Sequence, residues 1–309
     1  MPLPLAAVER AFAPAGPRRG AVHRLADSET DAERLSAWLD ALSSEAKRTP
    51  RANFGRMVAR VGELAIGTPY EAFTLEAYIR AGGKPGVSEP LTLSLTRFDC
   101  VSLVEACLAV ARVASANVSA AVAAGDPWAQ FAREMERMRY RAGSRRGYTS
   151  RLHYFSEWIS DGVRRGLMRD LGPELGGIED ARPLRFMSEH RSSYPALADD
   201  GVFREIGEME RRLDNSPRRV IPVARIPEVV DSLDSGDVLG FATAIPGLDV
   251  THAALAHRGR DKVLRVLHAP LSGGAVEITA STLPQYVRAI RRATGILVAR
   301  PLDRGTRSR

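Results

Sequence analysis

At 309 residues and 44% hydrophobic content the chain is long enough for one large domain or two, and apolar enough for a buried core. Its formal charge of +7 comes almost wholly from arginines scattered among acids. The clusters Arg145-Arg146, Arg218-Arg219 and Arg291-Arg292 lack interleaved aromatics and any nucleic-acid motif, so they read as solvated surface charge and no nucleic-acid partner is expected. No run reaches the length of a membrane-spanning helix, so no integral membrane segment is expected either.

In chain order, residues 1–25 are rich in Pro, Ala, Gly and Arg without periodicity and are expected to be disordered. Residues 27–44 read as a helix with Leu35, Trp38, Leu39 and Leu42 on one side, and 53–64 as a second, ending before the Gly67-Thr68-Pro69 turn. Gly82-Gly83 marks another turn. Helices follow at 100–114, 128–139 and 156–165, then an irregular polar segment at 183–198 that carries His190. Strand candidates crowd the remainder: 238–243, 250–257, 262–269, 275–279 and 296–300, with a Gly273-Gly274 turn and a helix at 283–292 between them. Helices first and an antiparallel sheet last predict an α+β fold, in which the helix at 100–114 packs on a C-terminal antiparallel sheet. A single domain over 26–303 and a basic tail over 304–309 are expected.

Cys100 stands where the pattern turns helical. Leu103, Val104, Cys107, Leu108 and Ala111 form one apolar stripe, which makes Asp99 a plausible N-cap and Cys100 a first-turn residue. The positive end of a helix favours a thiolate. Cys107, on the same helix and about 10 Å away, is too far for a disulfide and reads as a small core residue. A lone cysteine on an apolar helix is more often core than catalyst, so Cys100 needs a partner. Residues 250–257 and 262–269 read as a hairpin joined by Arg258-Gly259-Arg260-Asp261; centred near residue 260, it places His252 opposite His268. Facing imidazoles about 5 Å apart at Cβ let one orient the other, and the pair survives a register slip of two but not of one. The bland alternatives are satisfied structural histidines, or zinc held with Asp249 or Cys100; no HxxxH or CxxC spacing supports zinc. His23, His190 and His257 read as surface or structural.

Four segments together resemble a known family: Gly67-Thr68-Pro69-Tyr70; Phe98-Asp99-Cys100-Val101-Ser102-Leu103-Val104-Glu105; the stretch from Tyr148 through Arg151, Leu152, His153, Tyr154 and Phe155 to Trp158; and Gly236-Asp237-Val238-Leu239 with Gly247-Leu248-Asp249-Val250-Thr251-His252. They resemble the N-acetylmuramoyl-L-alanine amidase-like family (domain of unknown function 1460), a branch of the NlpC-type papain-like cell-wall cysteine hydrolases. The resemblance spans about residues 54–301. It implies a papain-like NlpC-type core with extra helices inserted, Cys100 as nucleophile, His252 as general base and His268 as the third polar residue. It further implies Tyr70, Asp99, Arg151 and Tyr154 at the substrate, His153 and Trp158 along the cleft, no cofactor and no metal. The implied reaction is hydrolysis of the amide between N-acetylmuramic acid and L-alanine in peptidoglycan fragments, through a thioester. The alternatives are an endopeptidase cutting the D-glutamyl-diamino acid bond of the stem with the same residues, and a non-catalytic wall-binding module. A muropeptide or peptidoglycan substrate implies the cell envelope, although residues 1–20 lack the continuous apolar core of a secretion signal, which leaves a cytoplasmic location open. A basic cleft would suit a stem bearing carboxylates.

Overall fold

The structure is a computed structural model and describes residues 30–48, 53–86, 89–118, 125–270 and 274–303. The segments 1–25 and 304–309, His23 and Gly273 lie outside them.

Among the described residues, five helices of ten residues or more come first. Helix α1 (Asp31–Arg48) is capped by Thr30 and Glu33, each accepting the other's amide, at 3.2 and 2.8 Å, while the expected start at residues 27–29 lies outside the described residues; Asp31 Oδ1 accepts the amides of Leu95 and Thr96 at 2.6 and 2.9 Å, tying the helix to the chain before Cys100. Helix α2 (Phe54–Leu64) is capped by Asn53, whose side chain accepts the Arg56 amide at 2.8 Å. Helix α3 (Cys100–Val118) is followed by α4 (Pro127–Arg139), with Asp126 as N-cap, and α5 (Phe155–Arg164). The single apolar stripe expected on α3 is too narrow. Leu103, Val104 and every residue from Ala106 to Ala111 are 0% exposed, so this helix is enclosed on all sides. Its buried Glu105 is accommodated by Arg139 of α4, whose Nε lies 2.8 Å from Oε2 and whose Nη1 also donates to the Thr92 carbonyl.

Between α5 and the expected sheet the chain forms four elements that the hydrophobic pattern does not mark. These are β1 (Met168–Asp170), β2 (Ile178–Asp180), α6 (Asp200–Leu213) and β3 (Arg218–Pro222). The first two are three residues long, α6 carries two glycines, and β3 opens with two arginines. One of these, Arg218, is buried against Asp180 at 2.9 Å, so this cluster is not solvated surface charge. The segment 183–198 is irregular but holds short helical turns at Phe186–Glu189, Arg191–Ser193 and Pro195–Ala198.

The sheet continues through β4 (Val238–Thr243), β5 (Val250–Arg258), β6 (Leu264–His268) and β7 (Glu277–Ile278), then helix α7 (Leu283–Ala289) and β8 (Ala293–Pro301). Its order is β2-β3-β8-β4-β5-β6-β7, with β1 on the far stretch of β8, and every pairing is antiparallel. The arrangement is α+β, as the order of elements predicts. Alternation divides the core between the two faces: Ala253, Leu255 and Leu267 pack with α2 and α3, whereas Ala254, Ala256 and Val266 pack with Leu283 and Val287 of α7. A third cluster, including Tyr148, Tyr154, Phe186, Val202 and Ile206, joins α6 and the 183–198 chain beside the sheet. Gly247 locks that chain in place. At φ +72° its carbonyl accepts the amides of Arg185 and Phe186, and a Cβ would lie 2.8 Å from the Phe186 nitrogen.

Candidate active site

The helix start that carries Cys100 is built by its neighbours. Asp99 Oδ1 accepts the Ser102 amide at 2.7 Å while Ser102 Oγ accepts the Asp99 amide at 2.9 Å, a reciprocal cap that satisfies both. The Leu103 amide takes the Asp99 carbonyl. Cys100, 7% exposed, is thereby held in the first turn, next to the positive end of α3. The Gly67–Tyr70 turn lies alongside: the Phe98 amide donates to the Pro69 carbonyl, the Glu71 amide to the Phe98 carbonyl, and Tyr70 bridges Phe98. That ladder sets Tyr70 beside the cysteine loop.

The histidine pair forms, but in a different register from the expected one. Leu255 pairs with Leu267 and His257 with Arg265, a shift of two residues from a hairpin centred at 260. The reason is in the turn. Its left-handed residue is Lys262, at φ 61°, rather than Gly259, and Asp261 Oδ1 accepts the Val263 amide, which moves the turn centre one residue toward β6. A slip of two preserves the face. His252 Nε2 lies 2.8 Å from His268 Nδ1, with the two rings edge to face at 5.0 Å. A β-bulge between β4 and β5 falls at this point, since Phe241 pairs with His252 but Ala242 with Val250. Bulges of this kind re-aim side chains at the ends of strands. The Phe241 ring stacks on His252 at 5.8 Å. His268 is 1% exposed; beyond His252 it meets the Tyr286 hydroxyl at 3.3 Å from Nδ1 and Glu277 Oε1 at 3.6 Å from Nε2. Burial, and then the neighbouring His268, push the His252 pKa well below its ordinary value, so its imidazole is a neutral base at pH 7.

Cys100 and His252 share the wall of one cavity of about 240 Å³, and Tyr70, Asp99, Arg151, His153, Tyr154 and Trp158 line it as well. His268 stands behind His252, outside the lining. The structure thus gathers every site residue expected from the sequence, but it gives several of them other obligations. The Arg151 guanidinium is buried against Glu76, lies 3.5 Å from Glu89 and stacks over Tyr148. The Tyr154 hydroxyl points to Glu210 Oε1 at 2.6 Å, which leaves only its ring for the cavity. Asp249, the alternative zinc ligand, spends both oxygens on the amides of Ser156 and Val250, thereby capping α5. Among the described residues no cluster of three or more His, Cys, Asp or Glu side chains is placed to hold a metal ion. His257 pairs with Glu63 at 2.8 Å and His190 with the Phe186 carbonyl, both structural. Sequence reasoning missed Phe73, Glu76, Tyr148 and Tyr194 in the wall, and Glu277 and Tyr286 behind it. Glu76 Oε2 and the Tyr148 hydroxyl are buried behind the wall with no hydrogen-bond partner among the described residues.

The family model for N-acetylmuramoyl-L-alanine amidase-like (AmiA-like) proteins matches residues 60–296. The chain belongs to the N-acetylmuramoyl-L-alanine amidase-like family. Crystal structures agree with that membership. An N-acetylmuramoyl-L-alanine amidase from Bacteroides uniformis ATCC 8492 is 28% identical to this amidase-like chain, with TM-score 0.71, over 82% of this chain and 100% of the other. A putative xylanase from Bacteroides fragilis is 31% identical, with TM-score 0.66, over 78% and 99%. A DUF1460 protein from Legionella pneumophila str. Philadelphia 1 is 16% identical, with TM-score 0.59, over 88% and 97%; that likeness is one of fold. No curated protein matches the chain.

Proposed function

We propose that the protein is a cysteine amidase of papain-like NlpC type that hydrolyses the amide between N-acetylmuramic acid and L-alanine in peptidoglycan fragments. One observation carries the reading: His252 Nε2 is bonded to His268 Nδ1 at 2.8 Å while His252 and the helix-start Cys100 share one cavity wall. With Nε2 engaged, Nδ1 is the nitrogen left for the thiol. His252 removes the Cys100 proton, and the thiolate attacks the lactyl carbonyl. The oxyanion forms at the Cys100 amide, on the positive helix end. Collapse breaks the C–N bond, and the same proton passes from His252 Nδ1 to the departing L-alanine amine. Water, deprotonated by His252, then splits the thioester and restores the thiol. His268 holds the His252 ring and tautomer throughout. The reading needs no cofactor, and it places the protein's work at the cell envelope.

The name of the Bacteroides fragilis relative invites a glycosidase reading, which needs two uncommitted carboxyls flanking the bond. The three carboxylates in the wall are Glu76, Asp99 and Asp249. They are committed to Arg151, to the α3 cap and to two amides. Incubation with N-acetylmuramoyl-pentapeptide and mass analysis of the products tests the proposal. Free N-acetylmuramic acid and an intact peptide are expected. Release of muramoyl-L-alanyl-D-glutamate would instead identify an endopeptidase, and no product at all a binding module.

A further inference from the structure

His252 can serve as base at Nδ1 only if its own proton sits on Nε2, and that requires His268 to present a lone pair at Nδ1 rather than a proton. A neutral imidazole has no strong preference between its two tautomers, so something outside the pair must choose. Glu277 is the direct cross-strand partner of His268, and its Oε1 lies 3.6 Å from His268 Nε2. That nitrogen is buried with no hydrogen-bond partner among the described residues. The separation exceeds a direct hydrogen bond, so the carboxylate acts through its charge. It repels a lone pair at Nε2 and attracts an N–H there. On the opposite edge of the ring the Tyr286 hydroxyl, 3.3 Å from Nδ1, adds a second donor directed at the same lone pair.

We propose that Glu277, assisted by Tyr286, fixes the tautomer of His268 and thereby the direction in which the Cys100–His252–His268 relay runs. Both are positioning residues, and the inference rests on the cysteine-amidase reading of the site. With the proton of His268 on Nε2, its Nδ1 accepts from His252 Nε2–H, and His252 Nδ1 is free to take the thiol proton. With the opposite tautomer, His268 Nδ1–H donates to His252 Nε2, the His252 proton moves to Nδ1, and the base is lost. No proton passes to Glu277 during turnover.

The test is the substitution Glu277→Gln, which removes the charge but keeps the shape; its amide can donate or accept and so no longer discriminates. In ¹⁵N-histidine spectra of the wild-type protein at pH 7.5, His268 should show a protonated Nε2 and a bare Nδ1, and in the variant a mixture of tautomers. Turnover number should fall about tenfold or more with KM unchanged, the scale found for groups that orient a ligating or catalytic imidazole. Glu277→Asp should recover part of both signals. Because Glu277 is half exposed, the melting temperature should not move. A wild-type nitrogen pattern in Glu277→Gln, or an Nδ1-protonated His268 in the wild type, would overturn the proposal. The spectra need no substrate, so they decide this inference even if turnover assays refute the amidase reading.

Discussion

The two cysteines of α3 allow the assignment to be tested by a paired substitution. Cys107 is fully buried among apolar side chains, and burial pushes its thiol pKa well above the ordinary range. Cys107→Ser places a hydroxyl there, at a cost of about 1–3 kcal/mol if it stays unbonded. The serine can bond back to the Leu103 carbonyl one turn earlier, which brings the expected loss to roughly 1–2 kcal/mol. For a chain of this size that lowers the melting temperature by roughly 1.5–3 °C. Activity should persist, since Cys107 does not line the cavity. Cys100→Ser reverses the outcome. Its hydroxyl faces the cavity, so stability should change by less than about 0.5 kcal/mol, while turnover drops at least about a thousandfold because a serine hydroxyl is a poor nucleophile without the thiol's acidity. Scanning calorimetry and muropeptide turnover on the two variants measure both axes. An inactive Cys107→Ser at wild-type melting temperature, or an active Cys100→Ser, would refute the assignment.

His252→Gln should abolish turnover, whereas His268→Gln, still able to form one hydrogen bond to His252, should retain measurable activity; equal loss in both would contradict the division between base and orienting group. Iodoacetamide at pH 6 to 7 should label Cys100, on the cavity wall, much faster than the fully buried Cys107, with peptide mapping as the readout, and equal labelling of the two would refute the accessible thiol. Burial lowers the pKa of both His153 and His252 in the folded protein, so below about pH 6.5 the unfolded chain binds more protons and stability falls with pH, by up to ~1.4 kcal/mol per unit for each ring. Urea unfolding of wild type and His153→Gln between pH 7.5 and 5 should show the smaller slope in the variant, and parallel slopes would refute the buried neutral His153. For an anionic muropeptide, KM should change less than about threefold between 20 and 300 mM salt, and a tenfold rise would show that local charge recruits the substrate.

The fold was legible where burial imposes a period. Residues 53–64 and 238–243 were placed correctly at their ends because Asn53 supplies a cap and β4 is buried on both faces. It was illegible where tertiary partners replace local signals. The three-residue strands β1 and β2 exist only through pairing with β8 and β3, and no window of their own sequence is long enough to show alternation. Helix α6 does carry an apolar stripe in Val202, Ile206 and Met209, but Gly201, Gly207 and a row of charges obscure it. The convergence of Cys100 and His252 on one cavity wall, with His268 behind, was legible because its parts are compact in sequence: one cap, one thiol and two histidines sixteen residues apart. The register was misjudged by two, since nothing in Arg258-Gly259-Arg260-Asp261 announces that the left-handed residue is Lys262. Glu277 and Tyr286 were invisible, because their relation to His268 depends on β7 and α7 folding back behind it.

The cavity wall also revises the idea of a basic cleft. The chain as a whole is cationic, yet the charged side chains in the lining are Arg151 against Glu76, Asp99 and Asp249. Arg151 is shared with Glu76 and Glu89, so the formal charge at the wall is acidic rather than basic. Long-range attraction by surface arginines therefore acts on approach and is screened within about 10 Å at ordinary salt. Inside, the aromatic side chains of Tyr70, Phe73, Tyr148, Phe155, Trp158 and Tyr194 dominate the lining. Such a wall suits a neutral ring and amide groups more than a row of carboxylates. Under the proposed amidase reading, the reacting portion of the substrate, a lactyl amide, is uncharged and so matches this wall. The same acidic lining would penalise the stem's carboxylates at depth by desolvation and by repulsion.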